Sequence, residues 1–125
     1  MATEKKTVFV VDDEEMLRSL TCDIIEGEGF NVISASNGRE AVEIFKDKRD
    51  EVGLVILDMS MPEMDGNQTF RALKEIDPGV RVLVSSGFIE DPVIAKMIRE
   101  GAKGVIAKPF KVDELTTIVR STLEM

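Results

Sequence analysis

Four places in the sequence carry side chains able to do chemistry together: the acidic pair Asp12-Asp13, Asp58, the stretch Ser85-Ser86-Gly87, and Lys108-Pro109. Each directly follows a short apolar run rich in β-branched residues, at 8–11, 54–57, 82–84 and 104–107. Histidine is absent from all 125 residues, which excludes a Ser-His-Asp triad, an imidazole metal site and a phosphohistidine on this chain. Chemistry therefore falls to carboxylates, hydroxyls, lysines and backbone groups. Three carboxylates brought to one rim repel each other by about 4 kcal/mol per pair, at roughly 4 Å and an effective dielectric of about 20, and so need a cation. A hard ion with oxygen ligands suits them. Mg2+ (or Mn2+) is expected, because Mg2+ keeps several waters and binds through one or two carboxylates plus a phosphate. Asp13 and Asp58 are the expected direct ligands, with Asp12 direct or through water.

A carboxylate is also a competent nucleophile for phosphoryl transfer once the charge on the transferring oxygens is neutralised. Lys108 and the metal supply that neutralisation, while the Ser86 hydroxyl and backbone amides near Gly87 suit the remaining phosphoryl oxygens. Asp58 is the expected acceptor. It follows the run predicted to be central in the sheet, with the acidic pair on one side and Ser86 and Lys108 on the other.

Positioning these groups requires a particular set of elements. The four apolar runs are continuous rather than alternating, as in buried parallel strands. A weaker fifth run, 31–34, follows the turn signal Gly27-Glu28-Gly29 and has polar neighbours, which places it near a sheet edge. Between the runs, apolar residues recur at helical spacing: Met16, Leu17, Leu20 and Ile24; Ala41, Val42, Ile44 and Phe45; Phe70 and Leu73; Val93, Ile94, Met97 and Ile98; Leu115, Ile118 and Val119. Asp91-Pro92 reads as a helix cap followed by a first-turn proline, Gly29 and Gly101 as helix ends, and 47–51 as a solvated connection. Alternating strand and helix imply right-handed crossovers, hence an α/β fold with a five-stranded parallel sheet and helices on both faces. Sites in such sheets lie at the carboxyl ends of the strands, where all four polar groups fall. Taken singly, each group has a plainer reading. Asp12 to Glu15 could simply start a helix with Asp13 as its cap, Asp65-Gly66 is a turn, Ser85-Ser86 begins a loop, and Lys108 is a surface lysine. Their common placement favours a functional cluster.

An apolar fraction of 43% over this length suffices for one core, so residues 1–125 are expected to form one domain. No apolar run approaches the roughly 20 residues that cross a bilayer, and the N-terminus lacks a signal-peptide core, so the expected location is cytoplasmic. A net charge of -8 argues against direct nucleic-acid binding. The lone Cys22 falls in an apolar-patterned helix and is expected to be a small core or boundary residue.

The acidic pair, Asp58 with Met61-Pro62-Glu63-Met64-Asp65-Gly66, Ser86-Gly87, and Lys108-Pro109-Phe110 together resemble response-regulator receiver domains of two-component signal transduction, over essentially the whole length. The resemblance implies a flavodoxin-like (βα)5 doubly wound sandwich. It further implies phosphorylation at Asp58 by a histidine kinase or phosphotransfer protein, Mg2+ held by Asp13, Asp58, Asp12 and the Ser60 backbone carbonyl, a hydroxyl switch at Ser86, and a cis peptide between Lys108 and Pro109. The implied partner surface for a downstream protein is the fourth helix, fifth strand and fifth helix, in a monomer or a phosphorylation-dependent dimer away from any membrane. The same stretches are similar to receivers inside hybrid sensor histidine kinases. One departure is Val105: many family members carry an aromatic residue three before the strand-five lysine, and a valine excludes a large ring swing there. Phe88 and Ser60 occupy positions that tune acyl-phosphate lifetime in the family. A phosphohydrolase of the haloacid dehalogenase kind would need a second aspartate where Ser60 stands, so a switch rather than a turnover enzyme is expected. A flavodoxin-like cofactor carrier would want a glycine- and hydroxyl-rich loop where the acidic pair stands, and a scaffold-only pseudo-receiver would lack site residues.

Overall fold

The computed structural model describes residues 6–124. Five strands, β1 (Thr7–Val11), β2 (Asn31–Ala35), β3 (Val52–Asp58), β4 (Val82–Ser86) and β5 (Gly104–Ala107), alternate with five helices, α1 (Glu15–Gly27), α2 (Gly38–Lys48), α3 (Gly66–Ile76), α4 (Pro92–Arg99) and α5 (Val112–Leu123). The strands form one parallel sheet in the order β2-β1-β3-β4-β5, so the expected α/β architecture is borne out. Every residue of β1, β3 and β4 is buried, as continuous apolar runs require, whereas β2 and β5 at the two edges are partly exposed.

Successive side chains along each strand face opposite layers. On one face Phe9, Val11, Val55, Leu57, Val82 and Val84 pack with Phe45, Phe70, Leu73, Ile94 and Met97 from α2, α3 and α4. On the other, Val8, Val10, Leu54, Ile56, Leu83 and Ile106 pack with Ile25, Leu115 and Val119 from α1 and α5. The exposed charged residues of each helix turn outward from these layers. Among the described residues no helix is long and apolar enough to cross a membrane.

Helix starts follow local chemistry. Asn37 accepts the Glu40 N–H at 2.8 Å, Asp65 and Gln68 exchange reciprocal bonds, and Asp91 accepts the Val93 N–H at 2.8 Å ahead of Pro92. Gly29 and Gly101 have positive φ just past α1 and α4, as their positions suggested. Three local expectations are corrected. Asp13 does not cap α1: the cap position is Glu14, without a side-chain bond, and Asp12 Oδ1 takes the Glu14 N–H at 2.9 Å from the strand end. Ser85 and Ser86 belong to β4 rather than to a loop, because their backbones continue the ladder opposite Ile106 and Ala107. Residues 47 and 48 extend α2, leaving only the tail of that charged stretch as a connection.

Phe70 is 1% exposed and Met16 85% exposed, so truncation should separate them. In urea unfolding, Phe70→Ala is expected to cost about 3–5 kcal/mol and Met16→Ala less than about 0.5 kcal/mol.

Candidate functional site

The register of the sheet sets the site. Val11 pairs with Leu57, so Asp12 and Asp58 come next on adjacent strands, on the face shared by Val10 and Ile56. Asp58 pairs in turn with Ser85. Carboxylate oxygens of Asp12, Asp13 and Asp58 lie within 4.8 Å of one another. Asp12 and Asp58 are buried and Asp13 is exposed. Lys108 reaches across from the end of β5 and places Nζ 3.1 Å from Asp58 Oδ1 and 3.2 Å from Asp12 Oδ2. Its own N–H donates to the Ser86 carbonyl at 2.8 Å, and the Lys108–Pro109 peptide is cis.

Burial pushes the Asp58 carboxyl up to about 6, with repulsion from Asp12 adding to it and Lys108 and the Ser60 N–H opposing it. For Lys108, burial alone would lower the ammonium, but the attraction of Asp58 and Asp12 wins and holds it above its ordinary value. The ammonium therefore stays charged while the carboxylates compete for it. Three carboxylates against one ammonium leave two negative charges when all are ionised, at an all-oxygen rim. That donor set fits a hard divalent cation.

The loop after Asp58 is fixed by backbone bonds. The Met59 N–H donates to the Ser85 carbonyl at 2.9 Å, the Gly66 N–H donates to the Met59 carbonyl at 3.0 Å, and the Ser60 N–H donates to Asp58 Oδ1 at 3.2 Å. A Cβ on Gly66 would stand 2.6 Å from the Asp58 carbonyl oxygen, so only glycine lets α3 approach this closely. The turn reading of Asp65-Gly66 anticipated neither Asp65 as the cap of α3 nor this contact, which depends on where β3 ends. The Ser86 hydroxyl, at the end of β4, makes no hydrogen bond to the carboxylates among the described residues. It accepts the Phe88 N–H at 3.0 Å and donates to the Phe88 carbonyl at 3.2 Å. The sequence thus named the acidic residues and lysine that meet, while Ser86 is bonded elsewhere.

Comparison with known proteins agrees with this arrangement. A family model described as "Response regulator receiver domain" matches residues 8–120. The chain belongs to this family. As a receiver domain it is 35% identical over 117 residues to the chemotaxis protein CheY of Bacillus subtilis, covering 93% of this chain and 96% of that one. It is 34% identical to the sensor kinase CckA of Brucella abortus, covering 94% of this chain but only 12% of that protein. Among solved structures, the CheX-CheY-BeF3-Mg2+ complex from Borrelia burgdorferi superposes with a TM-score of 0.88 at 32% identity, covering 93% of this receiver and 87% of that chain.

The raised Asp58 carboxyl has a consequence for stability. A carboxyl raised from 3.8 to about 6 binds its proton more tightly folded than unfolded, so its ionisation removes stability as pH rises through that window. Asp58→Asn is therefore expected to be more stable than the parent in metal-free buffer at pH 7, by on the order of 1–3 kcal/mol, with the gap closing below about pH 4. Urea denaturation at several pH values checks it.

Proposed function

We propose that this receiver accepts a phosphoryl group on Asp58 from a phosphohistidine of a histidine kinase or phosphotransfer protein, in a cytoplasmic phosphorelay, as a metal-dependent switch. The observation that carries this reading is the Lys108 ammonium bridging Asp58 and Asp12 beside Asp13. Asp13, Asp58, Asp12 and the Ser60 backbone carbonyl are the residues assigned to hold Mg2+ or Mn2+, which when bound neutralises charge on the transferring oxygens. An Asp58 oxygen attacks phosphorus as the P–N bond of the donor breaks and its electron pair returns to the donor imidazole. Lys108 gives up its bond to the Asp58 oxygen and pairs with a phosphoryl oxygen, while the Ser60 N–H stays near the acyl group. The Ser86 hydroxyl exchanges its Phe88 partners for a phosphoryl oxygen.

The readout assigned to this change is the surface of α4, β5 and α5, where Ile98 is exposed and Val105 half-buried. Similarity to part of a sensor kinase supports a second context, in which the same reaction serves a hybrid kinase. Slow loss of the phosphoryl group, rather than continuous turnover, follows from Ser60 standing where a hydrolase would place a second aspartate.

Incubation with acetyl phosphate and Mg2+ is expected to give one phosphate adduct by intact mass, absent in Asp58→Asn and after chelation. No adduct on folded protein would favour a scaffold role, and sustained phosphate release would favour a hydrolase. A second measurement follows from the Ser86 contacts. Beryllofluoride with Mg2+ should raise hydrogen exchange at the Phe88 amide, and Ser86→Ala should show that faster exchange already without the ligand.

A further inference from the structure

Ser85 stands beside Asp58 in direct register on β4, with Ile106 on its other side. Strand parity sends its side chain to the face that carries Leu83, Ile106 and Asp58. The residue is 3% exposed, and its Oγ has no hydrogen-bond partner among the described residues. A buried hydroxyl left in this condition costs stability that an alanine would not, so its presence calls for an explanation. The adjacent Ser86 offers a contrast, since its hydroxyl is bonded twice.

Asp58 offers what Ser85 lacks. Both protein donors to its carboxylate, Lys108 Nζ and the Ser60 N–H, end on Oδ1. No donor from the described residues is bonded to Oδ2. Neighbouring strands are about 4.8 Å apart, and two short side chains facing each other across that gap come within hydrogen-bond range after rotation of the serine about χ1.

We propose that the Ser85 hydroxyl donates to the acyl group of phosphorylated Asp58 and shortens the life of the acyl phosphate. This rests on Asp58 being the phosphoacceptor. In the hydrolytic step, a water oxygen forms the new P–O bond while the bond from phosphorus to the Asp58 oxygen breaks. The electron pair returns to the Asp58 carboxylate, and the water protons leave with phosphate and solvent. Negative charge grows on the acyl oxygens as this bond breaks. The hydrogen bond from the Ser85 hydroxyl strengthens as that charge grows, so it is worth more in the transition state than in the acyl phosphate.

The test loads wild type, Ser85→Ala, Ser85→Thr and Ser85→Val with acetyl phosphate and Mg2+, removes the donor, and follows adduct decay by intact mass. Thr and Val match in shape and differ in the hydroxyl. Ala and Val are expected to decay about five- to tenfold more slowly than wild type, the effect of one ordinary hydrogen bond, with Thr near wild type. Equal rates in all four, or Thr decaying as slowly as Val, would overturn the role of Ser85 while leaving Asp58 as acceptor. A rise in thermal stability of Ala and Val without a change in lifetime would do the same, marking the hydroxyl as a structural cost only. Failure of the wild type itself to form an adduct would overturn the phosphoacceptor reading, and this inference with it.

Discussion

One ammonium facing three carboxylates is the constraint around which the carboxyl-terminal rim of the sheet is organised. Lys108 starts at the far end of β5 and finishes between Asp58 and Asp12, so its side chain spans the strands between them. It holds the two buried acids near each other and leaves two negative charges uncompensated. A pair satisfied completely would be inert. Burial, with the repulsion of Asp12 added, is what leaves Asp58 raised, and the residual negative charge favours any cation or polarised phosphoryl group that approaches.

The rest of the fold keeps that arrangement from relaxing. Burial of β1, β3 and β4 on both faces fixes their register, because a slip of one residue would send the acids to the opposite layer. The Met59 N–H to Ser85 bond ties the end of β3 to β4, and the close approach of Gly66 prevents α3 from backing away. Asp12 adds a local restraint by taking the Glu14 N–H, so one carboxylate both begins α1 and faces Lys108. Asp13, released from capping, is the acid left exposed at the rim.

Most of this was legible in the sequence because a doubly wound sheet turns strand order into a spatial rule. Four buried runs followed by polar residues were enough to predict that Asp12, Asp58 and Lys108 meet, and their distances bear that out. The weak run 31–34 was readable as an edge strand from its polar neighbours, and β2 is one. Rotamers and caps were less legible. Nothing in the residues Asp12-Asp13 says which one turns back to the helix, since both are good caps and the choice depends on the angle at which β1 ends. The serines misled for a related reason: their types favour loops, but register with β5 and β3 extends β4 through them. An unpartnered hydroxyl such as Ser85 has no sequence signal, because it is defined by the rotamers that the surrounding side chains adopt.

Val105 directs attention to where a signal could leave the site. It packs beside Val84 against the α2, α3 and α4 layer, with few rotamers available, so a large ring swing cannot carry the change. The Ser86 hydroxyl holds the Phe88 backbone through both its N–H and its carbonyl, and Phe88 and Ile89 are 60% and 47% exposed. On the reading proposed for Asp58, moving that hydroxyl to a phosphoryl oxygen frees both backbone groups at once. Each such bond contributes about 0.5–1.5 kcal/mol, so the pair is worth a few kcal/mol at most, enough to shift a two-state loop population without unfolding anything. The β4–α4 loop, with its apolar side chains already in solvent, is then a better carrier of the switch in this receiver than β5.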